Sequence, residues 1–174
     1  MNHKNIFIEK TMGKMLWSFI MLLTHIVTYS TGIMFWLIVI FSKKHISKME
    51  MYTSTFFALY FELLANVILD LKYDLYGYFN KGVDWATLPA LLVIFPAVNI
   101  LFLNFYPFTK SISKQILYIL ICSIIGISFE WIYLQTEFFY HNGWSLWYSF
   151  LSYPWIFYIL FLNLRIIRKL LKSS

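Results

Sequence analysis

Phe61-Glu62-Leu63-Leu64-Ala65-Asn66-Val67-Ile68-Leu69-Asp70-Leu71-Lys72-Tyr73-Asp74-Leu75-Tyr76-Gly77-Tyr78-Phe79 is the stretch on which the reading of this chain turns. An apolar run here ends in acids and tyrosines, and Asp84-Trp85 closes the segment. Glu62, Asn66, Asp70 and Asp74 recur every four residues. On an α-helix a step of four advances about 400°, so the four side chains form one slowly drifting stripe. Apolar residues fill the rest of the circumference between Glu62 and Asp70. A carboxylate at bilayer depth is costly, so the stripe is expected to face protein or a cavity rather than lipid.

Composition places the whole chain in the same setting. It is 60% hydrophobic, 22% aromatic and 13% charged, whereas an ordinary soluble domain is about 45–50% apolar and about 25% charged. The polar surface is too small to coat a soluble globule. The formal charge of +6 comes largely from lysines in loops and tails. It reads as topology signal and lipid-headgroup contact. A nucleic-acid reader would need a polar domain to carry its basic patch, and no segment is long and polar enough. The single cysteine, Cys122, excludes an intramolecular disulfide. Lys4, Lys10 and Lys14 precede an apolar run as in a signal peptide. That run, Met15–Phe41, far exceeds a secretory core of about 7–15 residues, so a retained span is expected.

The expected fold is an all-α polytopic transmembrane bundle of about five spans, one domain over residues 1–174, with no soluble domain. The spans are placed at 15–41, 52–71, 88–108, 116–134 and 146–166, each near the ~20 residues that cross a bilayer. In the first, His25, Thr28 and Gly32 share a face. In the third, Pro96 should kink the helix and free a carbonyl, which Asn99 on the same face is placed to serve. In the fourth, Cys122 and Gly126 form a small-residue pair that lets a helix approach closely. Ser123, Gly126, Glu130, Tyr133 and Glu137 make a second polar stripe there. The fifth is expected to break early at Tyr153-Pro154. Asn80-Lys81-Gly82 and Asn142-Gly143 are turn signals.

Lysine and arginine are unevenly divided between the two sides. Five fall on the side of the N-terminus and nine on the other. The positive-inside rule then puts the N-terminus outside and the C-terminus in the cytoplasm of a cell-membrane protein. In that arrangement the 70–85 segment and the aromatic 137–144 connection lie on the same outer side and together cap the mouth of the bundle.

Glu62 and Glu130, with Asn66, Asp70 and Asn99, are the candidate ligand or proton residues. Buried carboxylates of this kind either carry protons or cationic substrates, or serve as interhelical hydrogen-bond glue worth about 0.6–2 kcal/mol a bond. Tyr73, Asp74, Tyr76, Asp84 and Trp85 are candidates for an outer mouth, the tyrosines and Trp85 through cation–π contact. The other reading of this group is a solvated helix end with weak local ion pairs. His25 with Glu62 and Glu130 is a weak metal alternative; a histidine alone on an apolar helix is more often a core residue. Glu137 and His141 are read as solvated. No cofactor is called for. A Gly-rich phosphate loop, a His-Glu-x-x-His pair and a Gly-x-Ser-x-Gly elbow are all absent, so the reading leans away from an enzyme.

Lys72-Tyr73-Asp74-Leu75-Tyr76-Gly77-Tyr78-Phe79, Asp84-Trp85, Pro96 with Asn99, Asn104-Phe105-Tyr106-Pro107, Glu130-Trp131, Trp144-Ser145-Leu146-Trp147-Tyr148-Ser149 and Tyr153-Pro154 carry a resemblance. Together they resemble a family of small, roughly five-span membrane proteins from Bacillus, Clostridium and relatives. The resemblance covers most of the chain from the second span onward. It implies the architecture and a low-GC Gram-positive source, and nothing about mechanism. Span number, length and tryptophan content are also similar to the tryptophan-rich sensory proteins, but their Pro-Pro and Trp-Pro helix signatures are absent here.

Two functions follow as expectations. One is an integral membrane protein that handles a small molecule or ion through its carboxylate-lined face. The other is an accessory or scaffold subunit that works through a membrane partner or a second copy, using the small-residue face at Cys122 and Gly126. The lipid bilayer is the expected partner in both.

Overall fold

The computed structural model describes residues 3–79 and 87–173, with backbone alone for 3–14, 89, 90 and 173. The described chain is an all-α bundle, 79% helical. Its elements are α1 (His3–Phe41), α2 (Lys48–Asn66) running on into a π-helical turn (Val67–Lys72), β1 (Tyr76–Tyr78), α3 (Thr87–Phe105), α4 (Ile112–Tyr133), β2 (Phe139–His141) and α5 (Leu146–Ser173).

Four helical stretches are long and apolar enough to cross a membrane: Met15–Phe41, Lys48–Lys72, Ile112–Tyr133 and Leu146–Lys172. The protein is therefore membrane-embedded. The third expected span is shorter than read from the sequence, its described apolar part being Leu91–Phe105. It stops at Phe105 and not at 108 because Pro107 disfavours α geometry at Tyr106. Its 19 residues still rise about 28 Å, close to the ~30 Å of a hydrocarbon core. One proline expectation needs correction: the helix runs through Pro154, as another does through Pro96. The loosened turn before Pro96 is served by Trp36, whose indole N–H donates to the Val93 carbonyl at 2.9 Å. Asn99 turns the other way and donates to Ser54 Oγ on α2 at 3.4 Å.

α1 packs on α3, α2 on α3 and α5, and α4 on α5. Ala97, Leu103 and Leu164 are completely buried at the centre, with Phe102, Phe157 and Phe161 around them. Outside, Phe19, Ile40, Tyr60, Leu92, Ile124 and Leu151 stand exposed. Such a surface would be a liability in water and is what hydrocarbon requires. Gly32 lets α1 and α3 approach closely: a Cβ there would stand 2.9 Å from Val93 Cγ1.

One end of the bundle is tied by α2's own cap. Ser47 Oγ accepts from Glu50 N–H, and Glu50 Oε2 accepts from Ser47 N–H, a reciprocal capping box. Glu50's other oxygen takes Arg168 Nε–H from α5 at 2.6 Å. The Arg168 guanidinium lies 4.0 Å from the Phe108 ring centroid. The start of α2, the α3–α4 connection and α5 thus meet at one arginine. Arg168 is 30% exposed, so its charge is partly screened. Arg168→Ala is expected to cost about 1–2 kcal/mol. Arg168→Lys should recover less than half, since an ammonium cannot both stack and fork. An unchanged melting midpoint in Arg168→Ala would refute this account.

At the other end the expected cap forms, as a two-stranded antiparallel sheet. Tyr76 pairs with His141, Gly77 with Tyr140 and Tyr78 with Phe139. Gly77 belongs there because a Cβ would run into the Tyr140 ring. Asn142 N–H and Trp144 N–H both donate to the Leu75 carbonyl. The Asn142-Gly143 turn is as expected, with Gly143 at φ 103°.

Candidate functional site

The first polar stripe holds only in part. Glu62, Asn66 and Asp70 lie on one continuous helical rod. Beyond Asn66 the wider π turn brings residues four apart back under one another, so the stripe does not drift away. Asp74 has left the helix; it adopts φ 52° and accepts from Asn142 Nδ2 at 2.9 Å. Asn66 Nδ2 donates to Glu62 Oε1, and the Tyr76 hydroxyl donates to Asn66 Oδ1 at 3.0 Å. The cap therefore reaches down onto α2 through Tyr76.

The second stripe is the deeper one. Glu130, only 8% exposed, stands near the end of α4. Its Oε1 accepts from Ser149 Oγ at 2.6 Å and from His141 Nε2 at 2.9 Å. Tyr153 of α5 also stands beside Glu130. Behind Ser149, Trp144 Nε1–H donates to the serine oxygen at 2.8 Å. One carboxylate thus gathers β2 and α5 around the end of α4. His141 is not solvated, contrary to expectation. α4 ends at Tyr133, so Glu137 and His141 are not on one helix, and strand β2 turns the imidazole inward.

Tyr76 lies between the two stripes. It is buried against Trp144 and Phe139, ring centroids 5.7 and 5.5 Å away. Burial first, then the Asp70, Glu62 and Glu130 carboxylates, hold its phenol far above the usual tyrosine range. It is a permanent hydrogen-bond donor. The Tyr78 phenol is pushed up in the same way by burial.

A cavity of about 360 Å³ opens beside Glu130. α1 contributes Thr31, Phe35 and Ile38; α3 contributes the face from Leu91 to Phe105; α4 contributes the face from Tyr118 to Tyr133. Tyr153 and Phe157 close it from α5, and Tyr78, Phe138 and Phe139 close it from the cap. Its volume falls in the range of about 300–1,000 Å³ typical of ligand sites. Comparison of the chain with family models, with curated proteins and with solved structures finds no match. The site is therefore argued from its own chemistry.

Of the candidates named from the sequence, Glu130 borders the cavity, while Glu62, Asn66 and Asp70 stand apart from its lining. Asn99 is buried between α2 and α3 with its carbonyl oxygen unpartnered, and does not line the cavity either. Tyr73 faces outward, 57% exposed, with Lys72 Nζ 5.1 Å from its ring centroid. Asp84, Trp85 and the Asn80-Lys81-Gly82 turn fall outside the described residues. The weak metal set is not assembled: His25 packs on the Phe79 ring at 4.9 Å, and no three acids, histidines or cysteines cluster among the described residues. The small-residue face of α4 is used within the chain, where a Cβ on Gly126 would stand 3.3 Å from the Tyr153 ring.

Ser149, His141, Trp144 and Tyr153 were missed as site residues. Ser149 and Tyr153 are four apart and so share a face of α5, a signal that was present. His141 carried no such signal, because a strand pairing between residues far apart in sequence placed it.

Proposed function

We propose that this chain is an integral protein of the cell membrane that binds a small molecule against the Glu130 carboxylate. The observation that carries this is a buried carboxylate held in place by Ser149 and His141 while bordering an apolar cavity. Intramembrane ionisable groups are expensive to keep and mark ligand or ion pathways by default. Second partners that fix a carboxylate's direction leave it preorganised for a third, incoming donor. We place the N-terminus outside and the C-terminus in the cytoplasm from the division of lysine and arginine. The cap and the Glu130 end of the cavity then face the exterior. An accessory role is the weaker reading, since the small-residue face proposed as its contact is occupied by Tyr153.

Native mass spectrometry of the chain extracted gently from its host membrane tests the proposal. A small molecule is expected to stay with the wild type and to be lost from Glu130→Gln, which keeps the shape and one acceptor oxygen. A stoichiometric partner protein with no bound small molecule would instead favour the accessory role.

A further inference from the structure

The cavity is long, narrow and polarised. Its α3 face runs from Leu91 to Phe105 and its α4 face from Tyr118 to Tyr133, about 21–22 Å at the helical rise. Along most of that length the walls are aliphatic and aromatic: Ile94, Val98, Leu101, Phe105, Ile125 and Phe157. The strongest acceptor, Glu130, stands at one end, where Tyr78, Tyr133, Tyr153 and Thr31 also belong to the lining. Among the described residues no lysine or arginine lines it. Ile38 of α1, Phe105 of α3 and Ile125 of α4 line the slot and are also exposed on the outer surface, at 44, 47 and 51%. The slot therefore communicates with the face that meets hydrocarbon.

We propose, building on the binding role assigned above, that the occupant is a single-chain amphiphile with an amine head, taken up sideways from the bilayer. The tail lies between α3 and α4, and the ammonium sits against Glu130 within the Tyr78, Tyr153 and Phe138 rings. Three physical points select this class. Hydrocarbon walls over most of the length match an alkyl chain and no hydrophilic solute. A carboxylate with surrounding aromatic faces suits an ammonium by charge and by cation–π attraction. A phosphate or carboxylate head would meet an acid with no lysine or arginine beside it among the described lining residues.

The test is a binding titration of the full-length chain in lipid nanodiscs. The probes are tetradecylamine, tetradecanol and tetradecyl phosphate, with native mass spectrometry counting bound molecules. One amine per chain is expected, bound about tenfold more tightly than the alcohol or the phosphate, as for a desolvated charge pair. Glu130→Gln should erase the preference for the amine and leave the alcohol's affinity in place. Val98→Phe, which fills the slot midway, should weaken all three. Equal or tighter binding of the alcohol or phosphate overturns the proposal, as does an amine preference that survives Glu130→Gln. Absence of any binding overturns it too. If no amphiphile binds but Glu130→Gln still releases a molecule carried from the host membrane, only the amphiphile assignment falls. If Glu130→Gln releases nothing either, the binding role falls with it.

Discussion

Glu130→Leu is expected to lower the stability of the protein by about 3–5 kcal/mol, the loss typical of removing one partner from a buried ionic network. Leucine has about the right size, so the cost is not a cavity. It comes from the donors left behind. His141 Nε2 and Ser149 Oγ–H both lose their partner. A buried polar group without a partner costs about 1–3 kcal/mol. Ser149 can turn its proton to a backbone carbonyl one turn back, as helical serines do. The histidine has no such escape. Glu130→Gln keeps one acceptor oxygen and should cost only about 1 kcal/mol. The pair therefore separates the structural role of Glu130 from its role towards a ligand. Unfolding midpoints in a mild detergent measure the difference. A Glu130→Leu protein as stable as wild type would mean that the network around Glu130 carries no weight in the fold.

Gly32→Leu should be the next most damaging change, at about 3 kcal/mol, in the upper range for overpacking. The α1–α3 crossing is set by the missing side chain. A first carbon at position 32 would meet Val93 Cγ1 at 2.9 Å and Ile94 Cγ1 at 3.6 Å. Val93 is β-branched and cannot swing aside within its helix. The leucine must push the helices apart, and the Trp36 indole bond to the Val93 carbonyl, 2.9 Å long, lies close enough to be stretched with them. Gly32→Ala should cost about 1 kcal/mol, because a shift of a few tenths of an ångström relieves it. Thr31 and Phe35 sit beside Gly32 in the wall of the cavity, so a displaced α1 should also weaken whatever the cavity holds. Equal melting midpoints for the leucine variant and the wild type would show that α1 is free to reposition.

Much of the architecture was open to reading from composition and run length. Sixty per cent apolar residues with few charges inside the long apolar runs leave few folds, because in hydrocarbon every backbone polar group must be satisfied within its own element. That argument ends the first span at Phe41, where the helix also ends, although α1 itself reaches back to His3. It fails at other helix ends, where local chemistry decides. Capping by Ser47 and Glu50 starts α2 at Lys48, and Pro107 ends α3 early. It fails again at Pro154, where a break was expected and the helix runs through. A proline within a packed membrane helix keeps its place when neighbours hold the rod together.

For the site, the sequence determined that Glu62 and Glu130 are carboxylates on the faces of apolar helices, because four-residue spacing and apolar surroundings need no tertiary information. It also determined that the two aromatic connections lie on one side, because topology follows from the number of spans. Only the tertiary structure showed which acid borders a cavity. Glu62 is bonded by its own helix through Asn66, whereas Glu130 lines the cavity and is held by His141 and Ser149. The physical reason is that a hydrogen bond four residues away is written in local periodicity. The pairing of Tyr76 with His141 joins positions far apart in the chain, and nothing short of the packed bundle specifies it.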